Sequence, residues 1–157
     1  MKYEEAPDLK ERMIDIVETL EMNHIDLDRL GCLRSFGSST KRTIARCHAL
    51  GKVMQKAMGT KAFYTIEFLE RFDKMSKAEQ DKVIIHELLH VPKTFGGGFR
   101  QHDFVCDRNI DLLYDKFLEA KGENQDFRSY KKIDRSIDNG KNKSSQEFPD
   151  NIQVDNF

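Results

Sequence analysis

Two histidines four residues apart, with a glutamate beside the first, stand in the run Val83-Ile84-Ile85-His86-Glu87-Leu88-Leu89-His90. Four residues is about one helical turn, so on a helix both imidazoles lie on one face and can reach a single ion. The flanks point to a helix. Ser76-Lys77-Ala78-Glu79 has the hydroxyl and the carboxylate of a capping box, which satisfies free N–H groups of a first turn. Pro92 bounds the far end, because proline disfavours helical geometry before it and has no N–H to donate. Ile84, Ile85, Leu88 and Leu89 make the remaining faces apolar. Such a helix is central, and the rest of the chain must pack against it on both sides.

The material for those layers is visible. Residues 8–23 read as an amphipathic helix, with Leu9, Met13, Ile16, Val17 and Leu20 at three- and four-residue steps and Asp8 after Pro7 at its start. Residues 29–36, 41–50 and 62–69 have strand character, and Gly37-Ser38-Ser39 is a plausible hairpin connection between the first two. Residues 51–59 fit a short helix or an irregular link. Gly96-Gly97-Gly98 provides a reversal, and a third helix is expected over residues 102–120. From Gly122 onward, charged residues of both signs alternate with Asn, Ser and Gly. The expectation is an α+β domain over residues 1–121, with about three strands, and a polar tail over 122–157, partly or wholly disordered.

The chemistry follows from the residue types. Zinc takes nitrogen, oxygen or sulfur ligands in a tetrahedral array, and a catalytic site keeps one position for water. Glu87 emerges beside the face that carries both imidazoles, placed to act as general base toward a water held there. His86 and His90 leave such an ion one protein ligand short, and His102 is the expected third. If the last helix begins near residue 102, His102 shares a stripe with Cys106, Ile110, Leu113 and Phe117. Asp103 and Asp107 are the rivals, each about 100° off that stripe. Tyr64 and Tyr114 are candidate oxyanion donors, weighed against ordinary packed aromatics. Cys32 with Cys47-His48 is a weak candidate for a second metal site, because no C-x-x-C pair accompanies it. His24 reads as a helix-end residue.

The run HELLHVPKTFGGGFRQH, and before it CLRSFGSSTKRTIARCHALGKVMQKAMGTKAFYTIEFLERFDKMS, resemble the metallopeptidase family of archaea and phages. There H-E-L-L-H is followed by a proline, a glycine pair and a third histidine, and the resemblance spans about residues 28–120. It implies a zincin-like fold with an N-terminal helix, a small sheet, an active-site helix and a following helix. It also implies a zinc peptidase activity with one zinc per chain, and a protein or peptide substrate. With edge-strand physics, it makes residues 62–69 the candidate platform for an extended peptide. The pattern is more distantly similar to SprT-like proteases, whose extra zinc ribbon this chain lacks.

Charge supplies the alternative. Residues 1–27 carry three Lys/Arg against eight Asp/Glu, while residues 29–62 carry eight basic side chains and no acidic one. The basic stretch is either a solvated face balanced by the acidic N-terminal helix or a footprint for nucleic acid. The competing function is therefore a zinc-stabilised module that binds nucleic acid or protein without hydrolysis. Three cysteines at wide spacing read as reduced thiols, and no apolar run approaches the roughly 20 residues of a membrane span. A monomeric cytoplasmic enzyme is the expectation.

Overall fold

The computed structural model describes residues 1–122. The tail expected over residues 122–157 lies, but for Gly122, outside the described residues. The domain is α+β. Strand β1 (Lys2–Glu5) leads into helix α1 (Pro7–Thr19), then β2 (Leu30–Phe36), β3 (Ala45–Ala49), α2 (Lys52–Met58), β4 (Tyr64–Leu69), α3 (Lys77–Leu89) and α4 (Asp107–Ala120).

The sheet has four strands, not three, in the order β1-β2-β4-β3. β1 escaped the sequence reading because all four of its side chains are exposed, so no alternation marks it. It is held by antiparallel pairing to β2, from Lys2 opposite Phe36 to Glu5 opposite Leu33. The expected hairpin between the second and third strands does not form. β2 pairs in parallel with β4, and β3 pairs antiparallel with β4. β4 therefore sits in the interior of the sheet and β3 is the edge. This corrects the placing of residues 62–69 at the edge. Its composition agrees, since Tyr64, Ile66, Glu67, Phe68 and Leu69 are all buried.

Helix α1 buries Leu9, Met13, Ile16 and Val17, the stripe read from spacing. It ends at Thr19, short of residue 23. Glu21 takes a φ of 54°, and the N–H of Met22 closes back on the Val17 carbonyl at 2.9 Å. Helix α3 starts as the capping box required, with Glu79 N–H donating to Ser76 Oγ at 3.3 Å and Ser76 N–H to Glu79 Oε2 at 3.0 Å. Ile84, Ile85, Leu88 and Leu89 are fully buried. The helix packs between β3 and α4, which accounts for its apolar residues on both sides. Arg12 of α1 ties in from another direction, reaching Asp81 at 2.6 Å and Gln80 at 2.7 Å.

Part of the basic stretch is neutralised within the fold. Arg34 holds Asp8 at 2.6 Å and Asp73 at 3.0 Å, Arg29 holds Asp26, and Arg46 lies 3.7 Å from Glu67. No helix among the described residues is long and apolar enough to cross a membrane.

Candidate metal centre and cleft

The last two turns of α3 present His86 and Glu87, and His90 caps the helix. The Nε2 atoms of His86 and His90 lie 3.3 Å apart. Two nitrogens bound to one tetrahedral zinc at about 2.0–2.1 Å would sit roughly 3.3 Å from each other, so this pair fits the ion. His102 joins them, and the ligand nitrogens of all three lie within 4.8 Å of one another. Among the described residues this is the one group of three or more His, Cys, Asp or Glu side chains arranged so.

The route by which His102 arrives differs from the expected one. Helix α4 begins at Asp107, with Cys106 extended at φ −136° and ψ 161°. His102 therefore belongs to a turn, not to the stripe of Ile110, Leu113 and Phe117. That turn is stabilised by Gln101, whose carbonyl accepts from Phe104 N–H at 3.1 Å and Val105 N–H at 3.0 Å. Asp103 spends a carboxylate oxygen on the Phe104 N–H at 2.9 Å. Asp107 lines a recess beside His86 and is not part of the three-residue group.

The electrostatics suit ligands that must be neutral. Burial, and then the neighbouring His90 and His102, hold His86 down to about 4. Burial likewise lowers His90. His90 Nδ1–H donates to the Arg100 carbonyl at 2.8 Å, which leaves Nε2 with its lone pair toward His86. Glu87 is only 7% exposed. Burial pushes its carboxyl up to about 7, against the opposing pull of the Cys47 backbone N–H. A carboxylate poised near neutrality is what proton transfer at that pH requires.

Cys47 belongs to the edge strand. Pairs such as Leu69 N–H to Ile44 carbonyl and Leu50 N–H to Phe63 carbonyl put the even-numbered residues of β3 in hydrogen bonds with β4. The backbone groups of Ala45, Cys47 and Ala49 consequently face outward along the cleft. Two recesses flank Glu87. One, of about 330 Å³, is lined by Ile44, Val83, His86, Asp107 and Ile110 among others. The second, of about 260 Å³, is lined by Cys47, Glu87, His90, Phe99, Arg100 and Gln101.

Other candidates take structural places. The Tyr64 hydroxyl accepts from Gly97 N–H and donates to the Gly98 carbonyl, both at 2.8 Å. Its ring is fully buried, so it braces the glycine loop. Tyr114 is half-buried on α4, where its ring lies 5.3 Å from the Lys82 ammonium. Cys32 and Cys47 are both opposite Ile66, on either side of β4, which separates them by two strand spacings, roughly 9.6 Å. His48 points to the other face and meets Glu67 at 2.6 Å. These residues do not assemble a second site. His24 Nε2 lies 3.3 Å from the Val91 carbonyl, just past the end of α3. The contributions of Cys47 and Arg100 escaped the sequence reading because both act through main-chain atoms, which leave no residue-type signature.

No curated protein and no solved structure matches the chain. A protein-family match does exist, and it reaches further toward the N-terminus than the resemblance read from the motif. It covers residues 1–122, all of the described domain, and the family is described as putative phage metallopeptidase. The chain belongs to that family.

Proposed function

We propose that this domain is a zinc-dependent peptidase that cleaves polypeptide backbones with Glu87 as its general base. The observation that carries the reading is the convergence of three imidazoles, His86, His90 and His102, beside a buried carboxylate. The donor set is three imidazole nitrogens, which favours zinc over harder, oxygen-seeking cations. Bound there, zinc would polarise the scissile carbonyl and acidify a water. Glu87 takes a proton from the attacking water as its oxygen adds to the carbonyl carbon. The same carboxyl then delivers that proton to the leaving amine as the C–N bond breaks. The outward backbone groups of Ala45 and Ala49, with the carbonyl of Cys47, suit an extended substrate added to the edge of the sheet.

The competing reading, a metal-stabilised binding module, has less support. A purely structural zinc site closes with four protein ligands, commonly including cysteine, and has no use for a buried base beside it. The test is metal analysis of the purified chain together with digestion of a broad peptide library, using Glu87→Gln as control. Zinc near one per chain and library cleavage that vanishes in the variant are expected. Bound zinc with no cleavage of any peptide would turn the assignment to the binding module.

A further inference from the structure

One wall of the cleft is strongly cationic. Residues 41–61, which include the edge strand, carry Lys41, Arg42, Arg46, Lys52, Lys56 and Lys61 and no carboxylate. Arg46 is committed to Glu67. The other five are exposed, and among the described residues none of them is in an ion pair. Lys41 and Arg42 precede β3, whereas Lys52 and Lys56 follow it on α2. The five-residue strand spans only about 17 Å, so both ends of the edge are cationic. Across the cleft, Asp107 and Asp111 line the recess next to Ile44 together with Lys82, which pairs with Asp111 at 3.0 Å.

Helix α2 adds a second observation. It buries no residue, and Val53, Met54 and Met58 are 82%, 51% and 61% exposed. Yet the helix is fastened to the site loop. Gln55 Nε2 donates to the Leu50 carbonyl at 2.7 Å and to the Gly96 carbonyl at 3.0 Å. Gly97, at φ 105°, allows that approach, because a Cβ there would meet Gln55 Nε2 at 2.5 Å and the Leu50 carbonyl at 2.7 Å. The loop continues into Phe99, 45% exposed at the mouth of the smaller recess. A fixed helix with three large apolar side chains turned to solvent and interleaved with lysines marks a surface made to be covered. Methionines let it accept varied apolar partners.

We propose that α2, with Lys52, Lys56 and Lys61, docks the part of a substrate N-terminal to the scissile bond, and that this part is acidic and apolar. The inference rests on the peptidase reading above. A peptide paired antiparallel to β3, the more stable ladder, has its N-terminal side at Ala49 and α2 and its C-terminal side at the recess near Ile44. Its carboxylates meet the lysines, and its aliphatic side chains cover Val53, Met54 and Met58. Nucleic acid would also satisfy the cations. The exposed apolar groups between and beside them on α2, Val53, Met54, Ala57 and Met58, are not aromatic, however, and Gln55 has turned its amide N–H to the Leu50 and Gly96 carbonyls, so α2 gives bases no stacking platform.

The test uses the full-length Glu87→Gln chain, loaded with zinc, and fluorescence anisotropy. The probes are a short labelled peptide of Glu and Leu, its counterpart with every Glu replaced by Lys, and a labelled single-stranded DNA. The acidic peptide should bind at least about tenfold tighter than the basic one at physiological ionic strength. Lys52→Glu/Lys56→Glu should abolish that preference, and Val53→Ser/Met58→Ser should weaken the acidic peptide severalfold. Neither pair should change zinc content or the thermal midpoint. Equal affinity for the two peptides overturns the proposal, as does DNA binding tighter than the acidic peptide and lost with the lysines. Cleavage of library peptides by the unsubstituted chain is scored separately. Cleavage with no acidic preference upstream of the cut removes the docking surface and leaves the peptidase. Preferential binding of the acidic peptide without any cleavage supports the docking surface and removes the reaction.

Discussion

His90 and Arg100 are tied to each other twice: the imidazole Nδ1–H donates to the Arg100 carbonyl at 2.8 Å, and the Arg100 N–H returns to the His90 carbonyl at 2.8 Å. The first bond sets the tautomer and the second anchors the segment that brings His102 in two residues later. The placing of the candidate ligands His90 and His102 is thus fixed partly by main chain.

Zinc binding should follow that geometry. His86→Ala and His90→Ala are each expected to lose the metal. His102→Ala should weaken it by at least about tenfold, as expected for a direct ligand, and Asp103→Ala should change it little, since that carboxylate is spent on the Phe104 N–H. Competition against a chromophoric chelator reads all four. Full occupancy in the His86→Ala/His90→Ala chain would end the ligand assignment, and a larger loss from Asp103 than from His102 would move the third ligand.

Glu87→Gln separates binding from chemistry. The amide nearly matches the carboxylate in shape and fits the same buried place, but it cannot take a proton. Zinc content and the thermal midpoint should stay close to those of the parent chain, while kcat/KM on any cleaved peptide falls by about a hundredfold or more. Undiminished turnover would remove Glu87 from the mechanism.

What could be read from sequence divides along a physical line. Helix α3 was fully legible, because its cap, its proline stop and its apolar residues are all local signals, and the one-turn spacing of His86 and His90 is geometry that any helix imposes. The buried stripe of α1 was legible for the same reason. Strand order was not. Nothing in residues 30–49 states that β4 will insert between β2 and β3, since that depends on pairing between segments far apart in sequence. β1 has no pattern at all and exists through backbone hydrogen bonds. His102 was identified as the expected ligand by the third-histidine pattern, by the glycine reversal and by a helical stripe, and the stripe does not contain it. The turn at Gln101 brings it to the others instead.

The Arg12–Asp81 pair holds α1 to the helix that carries the site. Asp81 is 4% exposed, and among the described residues Arg12 is its one ion-pair partner. Removing the guanidinium leaves a buried carboxylate without its charged donor, so Arg12→Ala should cost about 1–3 kcal/mol in urea unfolding. Arg12→Met/Asp81→Leu should recover much of that, because an apolar pair of similar volume needs no charge compensation. A single-variant cost below about 0.5 kcal/mol would place this pair with weak surface ion pairs.

His24 packs beneath the end of α3 with Nε2 near the Val91 carbonyl. Burial is the main reason its imidazole is held down to about 4, with the charges of Arg100 and Lys93 adding to it and the Val91 carbonyl opposing. In an unfolded chain the group titrates near its ordinary 6.5. Between those two values the unfolded chain carries a proton that the folded one refuses, so unfolding takes up a proton and acid favours it. The penalty is absent above about pH 7.5, grows as pH falls through 6.5, and levels off below about 4. His86 adds to the same trend in metal-free protein and Glu87 opposes it, so the useful quantity is a difference between two chains. His24→Gln keeps a donor for the Val91 carbonyl and removes the titration. Measured by urea unfolding, the stability of the parent chain relative to this variant should be flat from about pH 8.5 to 7.5 and should decline steadily toward pH 4.5. A difference that is independent of pH, or that rises in acid, would mean that His24 accepts its proton inside the folded domain.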